Sequence, residues 1–425
     1  MKLLRRKITA AVAVAAALTL TACSTSEPTP AGSTELSFLT FETPALTAKF
    51  WDDSITDALK TVPNVKIKKI TAPTTDRNAY AKQLQATGQL PDILASINPK
   101  DFIDANLLTA FEQDWLKANF LLPEANNIKG KTYIPPTNSQ ILPMVFYNKD
   151  IFAKNNLTVP KNWAEFMSVV TKLKAAGVTP IELAGAEPWS ASMPLVGLVS
   201  ANVLGKNKNW IQDRYAGKTK FTDADMAAAV QKQRDLIAAG AFASGALGVN
   251  YADANKQFLE GKSAMYPMGS WFIGQIKPDQ AKSFGTFMLP TDDGSLVVPF
   301  NVGGTTAVSS KAPDVAKAVA FAKSWSLSPN NLKVLIETDG AFPMLKNVKL
   351  QDFGATVTPV FTDAYALVGQ ENTKVSSIGW VNNDDALPPG VSDLFYALSQ
   401  QLFTNGDVAA QLSALDKAWD KAAGK

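Results

Sequence analysis

The chain has 425 residues, 46% of them hydrophobic, with 41 basic and 38 acidic side chains and a formal charge of +3. That length accommodates two domains of ordinary size, and so small a net charge argues against nucleic acid as a partner. There is no histidine and a single cysteine, which excludes Ser-His-Asp and Cys-His nucleophile systems, an internal disulfide and the commonest transition-metal ligand, while carboxylate-only glycoside hydrolysis stays open.

The chain begins with Lys2, Arg5, Arg6 and Lys7, followed by an apolar run over residues 8–20 and then Leu20-Thr21-Ala22-Cys23. A basic start, a short apolar stretch and a small residue before a cut form a secretory signal. The run is too short to span a bilayer, which takes about 20 residues. Leu20-Thr21-Ala22-Cys23 resembles the lipobox of bacterial lipoproteins. That resemblance implies a signal peptide over residues 1–22, lipid on the Cys23 thiol and anchoring to the outer face of the cytoplasmic membrane. Residues 23–34, small and polar with Pro28 and Pro30, read as a flexible tether. Four of the 41 basic residues lie in the signal, which leaves 37 against 38 acidic residues, a charge of −1.

Strand and helix signals then alternate. Residues 35–41 read as a strand, 45–60 as a helix, 65–70 as a strand, 78–87 as a helix ended by Gly88, and 91–95 as a short apolar strand. This order predicts a mainly parallel sheet covered by helices. A second region opens with a strand at 144–147. Pro160-Lys161-Asn162-Trp163 then opens a helix whose apolar face includes Phe166, Val169, Val170 and Leu173, ended by Gly177. Further strands are predicted at 180–184, 263–266, 285–289, 297–298 and from 305 to 309. Helices are predicted at 223–239, 251–260, 313–325, 391–403 and 408–423. Asp292-Asp293-Gly294 reads as a turn rather than a calcium loop, since the other oxygen ligands are missing.

Several strings now resemble one family. They are Gly88-Gln89-Leu90-Pro91-Asp92-Ile93, Lys131-Thr132-Tyr133-Ile134-Pro135, Tyr147-Asn148-Lys149-Asp150-Ile151-Phe152 and Val159-Pro160-Lys161-Asn162-Trp163. The most specific is Phe258-Leu259-Glu260-Gly261-Lys262-Ser263-Ala264-Met265 followed by Met268-Gly269-Ser270-Trp271. Their order and spacing are similar to the extracellular solute-binding proteins of bacterial ABC sugar importers, which are maltose-binding-protein-like. The resemblance implies an α/β fold of the two-lobe type II periplasmic-binding kind with a ligand cleft between lobes. It puts the N-terminal lobe at 35–140 with 305–342 and the C-terminal lobe at 141–304 with 343–425. It also implies a monomer without catalytic residues, cofactor or metal. Such a protein captures a sugar of oligosaccharide size and hands it to ABC permease subunits on hinge closure.

Open parallel sheets bind ligands beyond the C-terminal ends of their strands. A sugar needs aromatic platforms for its C–H faces and polar side chains for its hydroxyls, since an unpaired buried hydroxyl costs about 1–3 kcal/mol. Trp51, Trp115, Trp163, Trp325 and Trp419 lie in helical patterns and read as core. Trp189, Trp271 and Trp380 lie in loop-like contexts. By resemblance, Glu187-Pro188-Trp189 and Gly269-Ser270-Trp271 are segments whose tryptophans stack on sugar, and Trp380 stands near a late cleft aromatic of the family. The polar candidates are Glu42 and Asn98 at strand ends, Gln140 at the first crossing between lobes, and Asn382 and Asp384 beside Trp380. Asp76 reads mainly as a helix cap, and Gly303-Gly304 as backbone geometry at a crossing. No arginine lies beside the tryptophan and polar candidates in sequence, which favours a neutral ligand unless folding brings Arg77 or Lys346 near. The alternatives are a binding protein for a non-sugar solute, or an exported glycosidase using Glu42 and Asp384.

Overall fold

The computed structural model describes residues 32–74 and 76–424; the expected signal, Cys23 and most of the expected tether lie outside them. Strand Thr34–Thr40 pairs in parallel with Val65–Thr71 on one side and with Ile93–Ala95 on the other. Helices Ala48–Leu59 and Arg77–Ala86 make the crossovers. Thr47 caps the first of these, its hydroxyl accepting the Phe50 N–H at 3.3 Å. This helix buries Phe50, Trp51, Ile55 and Ala58. Asp76 caps the second through Ala79 N–H at 2.9 Å, as expected. Thr306–Ser309 runs antiparallel between Ile93–Ala95 and Leu108–Thr109, so one strand of this five-stranded sheet is reversed.

A second lobe is built on the four-stranded sheet Phe284–Phe287, Met144–Asn148, Ser263–Met268 and Thr179–Ile181. Here too one strand, Met144–Asn148, opposes both neighbours. Helix Trp163–Ala175 covers it through Phe166, Val169, Val170 and Leu173, the predicted face. Gly177 ends that helix with φ at +72°, a conformation that costs a residue with a Cβ. A third sheet joins the lobes: Phe342–Pro343, Asn138–Ile141, Val297–Gly303 and Thr373–Val375. At its end Gly304 passes so near Pro135 that a Cβ would sit 2.0 Å from that carbonyl oxygen, so a side chain there is excluded. The terminal helices Val391–Thr404 and Val408–Ala422 close a separate core with Trp210, Phe221 and Trp419.

Several elements differ from expectation. Helices Pro329–Asp339 and Pro359–Gly369 and the run from Met193–Val199 into the π-helical Ser200–Leu204 stand where no helix is expected. The last is buried throughout, so it has no polar face to mark its period. The strand expected at 180–184 stops at Ile181, and the one expected at 91–95 begins at Ile93 because Asp92 turns inward to accept Ser37 N–H and Oγ–H, both at 2.7 Å. Trp51, Trp325 and Trp419 are core as read, but Trp115 and Trp163 are half-buried. They stack on Phe111 and Phe166, and Lys323 and Lys232 lie across their outer faces. Asp292-Asp293-Gly294 is a turn: Asp293 accepts Thr291 Oγ–H at 2.7 Å and Ser295 N–H at 3.0 Å, which lowers its carboxyl pKa to about 2.

Candidate functional site

Between the two lobes lies a cavity of about 280 Å³. Strand ends deliver its walls. Thr34–Thr40 leads into Phe41, Ile93–Ala95 into Ser96 and Asn98, and Ser263–Met268 into Trp271, all of them lining residues.

One wall is aromatic. Trp189 has Tyr251 at 5.1 Å, Trp380 at 6.0 Å and Trp271 at 6.2 Å between ring centroids. Trp271 and Trp380 are 5.7 Å apart, and Tyr396 follows Trp380 at 5.6 Å. Pro188 starts the short helix Pro188–Ala191, and the Glu187 carboxylate ties it down by accepting Tyr251 N–H at 3.2 Å. The Trp271 ring folds back over Gly269, where any Cβ would lie 2.3 Å from it. Gly379, at φ +83°, sets the bend before Trp380, and Tyr396 donates its hydroxyl to the Gly379 carbonyl at 2.5 Å. The indole N–H of Trp380 is buried and has no acceptor among the described residues.

The opposite wall is polar. Arg77 lays its guanidinium over the Phe41 ring at 4.4 Å and donates Nε–H to the Ser96 carbonyl at 2.9 Å. Asp101 accepts from the Asn78 side chain at 2.7 Å through Oδ2, while its Oδ1 is buried without a donor. Burial raises the Asp101 carboxyl pKa, against the pull of Asn78 and Lys82. Gln140 donates to Asp339 Oδ2 at 3.3 Å. Part of Asp339 opens onto the cavity, yet desolvation in the wall pushes its carboxyl up to about 7, against Arg77 and Gln140. Asn301, on the joining strand, keeps Oδ1 buried and unpaired. Unpaired polar atoms of this kind are costly in a folded protein, and hydroxyl groups on a ligand would satisfy them.

Trp189, Trp271, Trp380, Asn98, Gln140 and Asn382 therefore line one cavity. Glu42 and Asp384 do not. Side chains alternate along an extended chain, so Phe41 points into the cavity and Glu42 lies exposed outside it. Asp384 is exposed and accepts the backbone N–H of Lys129 at 2.9 Å. The Glu42–Asp384 glycosidase pair thus has no place in the cavity. Asp76 lines it while capping its helix, and Gly303 and Gly304 line it as well. Arg77, one of the two basic residues that folding was expected to be able to bring near, lines the cavity too: it follows Asp76 at the helix start beyond strand Val65–Thr71. Asp339, Asn301 and Tyr396 gave no local signal, since they enter from a helix C-terminus, a joining strand and a helix interior.

A family model described as bacterial extracellular solute-binding protein matches residues 54–364. A multiple sugar-binding protein of Streptococcus mutans is 26% identical over 355 residues, covering 76% of this chain and 77% of its own length. Among solved structures, a chitin oligosaccharide binding protein superposes with a TM-score of 0.79 at 22% identity, covering 92% of this chain and 100% of that one. A solute-binding protein in complex with raffinose superposes with a TM-score of 0.72 at 20% identity, covering 92% and 100%.

Proposed function

Since the chain belongs to the bacterial extracellular solute-binding proteins, we propose that it captures a neutral sugar of oligosaccharide length in the interlobe cavity and delivers it to the permease of an ABC importer. The observation that carries this reading is the box of Trp189, Trp271 and Trp380 facing a polar wall across one cavity. Apolar ring faces receive the C–H surfaces of a pyranose, and the polar wall receives its hydroxyls. Neutrality follows from charge compensation. Asp339 faces Arg77, and Lys82 is shared between Asp101 and Asp393, so these two cations of the described residues each have carboxylates beside them, which favours a neutral ligand. The relatives' names, multiple sugar-binding and chitin oligosaccharide binding, support the same class.

On this reading the first lobe takes 35–140 with 305–342, the second takes 141–304 with 343–425, and binding shifts an open–closed equilibrium that the permease reads. The protein acts as a monomer and performs no chemistry on its sugar. Titration calorimetry and tryptophan fluorescence against a panel of neutral oligosaccharides test it. At least one sugar is expected to give heat and a spectral change together. Silence across the panel, or hydrolysed products in the cell, would sink it.

The lipid anchor belongs to the same proposal. Tethering at Cys23 keeps the binding lobes near the permease and raises their effective concentration there. Cys23→Ala is expected to move the protein from the membrane fraction to the soluble fraction while its sugar affinity stays unchanged. Retention in the membrane fraction would contradict the anchor.

A further inference from the structure

Several contacts join the two lobes beside the cleft, and the lysines among them come from the first lobe. In the first lobe, Lys82 on helix Arg77–Ala86 reaches Asp393, in the first turn of Val391–Thr404 of the second lobe, at 2.8 Å. The same ammonium lies 3.6 Å from Asp101 in the cavity wall. Lys100, at the start of helix Lys100–Ile103, sits over the Tyr215 ring at 4.9 Å, and Tyr215 donates its hydroxyl to the Ala386 carbonyl, in the loop that carries Asp384. Lys129, in the turn of hairpin Asn127–Ile128 and Lys131–Thr132, donates its backbone N–H to Asp384 at 2.9 Å, while its ammonium pairs with Asp104 of its own lobe at 2.8 Å. Beside it the Asn383 side chain donates to the Ala125 carbonyl at 3.1 Å. The contacts of Lys82 with Asp393, Lys100 with Tyr215 and Lys129 with Asp384 join residues far apart in the chain, and in each the lysine comes from the first lobe.

We propose that Lys82 and Lys100 of the first lobe and Asp384 and Asp393 of the second, with the Lys129 backbone N–H holding Asp384, form an electrostatic seam that biases the cleft toward closure. These are positioning residues: they act on the ligand through the lobes. Asp384, expected from sequence to touch sugar, takes this role instead. Lys82 links the seam to the cavity, because one ammonium serves both the closure carboxylate Asp393 and the cavity carboxylate Asp101. The inference rests on the hinge closure proposed above.

The test needs no sugar. Cys23 is the only native cysteine, so a full chain carrying Cys23→Ser accepts spin labels at Lys49→Cys and Lys172→Cys, exposed positions on helices of opposite lobes. Pulsed electron–electron resonance then reads the interlobe distance at low and at high salt. Exposed ion pairs are individually weak, and salt screens them over about 10 Å at 0.1 M. The parent is expected to lengthen its distance as salt rises. Asp384→Asn with Asp393→Asn should be shifted toward the open form by roughly fivefold at low salt and respond little to added salt. Lys82→Met should move the same way, and Asp393→Glu should restore the parent distribution. Identical distances in parent and double variant, or a parent indifferent to salt, would overturn the seam. Either result leaves the sugar titration standing, and silence in that titration leaves the distances readable.

Discussion

Replacing Trp271 by alanine is expected to weaken sugar binding by about 2–4 kcal/mol, or roughly thirtyfold to several hundredfold, while the protein stays folded. Trp271 is half-buried and joins the other two tryptophans of the box, at 6.2 Å from Trp189 and 5.7 Å from Trp380. Truncation removes one stacking face and opens space that water fills, so the ligand loses both contact and desolvation. The short 3-10 helix Ser270–Gln275 is held elsewhere: Ser270, Phe272 and Ile273 are buried, and the segment packs against helix Pro329–Asp339. Calorimetry with a sugar found by the panel reads the loss, with thermal melting as the control for folding. Trp271→Phe should fall between parent and alanine variant. An alanine variant within threefold of the parent would remove Trp271 from the ligand.

The second large effect falls on stability. Trp51→Ala is expected to destabilise the protein by about 3–5 kcal/mol, the usual range for deleting a buried tryptophan. The ring is 1% exposed. It stacks on Trp325 at 5.6 Å and 20°, with Phe50 at 5.1 Å, Phe41 at 5.5 Å and Phe38 at 5.8 Å around it. Its indole N–H donates to the Phe41 carbonyl, so the cavity floor is attached to this core. Phe41 in turn carries Arg77. Urea unfolding should show the destabilisation, and Trp51→Phe should recover much of it by keeping an aromatic ring in place. A loss below about 1 kcal/mol would mean that the core closes over the gap.

Helix Trp163–Ala175 was legible because a polar and an apolar face alternate along it. Phe166, Val169, Val170 and Leu173 gave the helix Trp163–Ala175, and its start was expected within Pro160-Lys161-Asn162-Trp163, where Asn162 Oδ1 accepts Glu165 N–H at 2.9 Å. The same reading failed at Met193–Val199, which has no exposed face to contrast with its buried one. Among site residues, the tryptophans were found because Gly, Pro and Ser beside them mark loops. Asn98 was found because it follows a strand. Glu42 was misplaced by one position, since phase along an extended chain decides which of Phe41 and Glu42 faces inward, and a one-residue step reverses the side.

The sequence by itself determined the kind of molecule: an α/β chain of two lobes, without histidine chemistry, with loop tryptophans suited to a sugar. Those properties depend on composition, local period and short strings, all of which are present before folding. Only the tertiary structure decided which side chains share the cavity and what compensates their charge. Arg77 and Asp339 are 262 positions apart in the chain, and Lys82 and Asp393 are 311 apart. Crossovers between lobes bring such pairs together, and local sequence carries no record of the partner. The same reason moved Asp384 from the ligand to the seam: its neighbour Trp380 lies in the cavity wall, but its own hydrogen-bond partner, Lys129, comes from the other lobe.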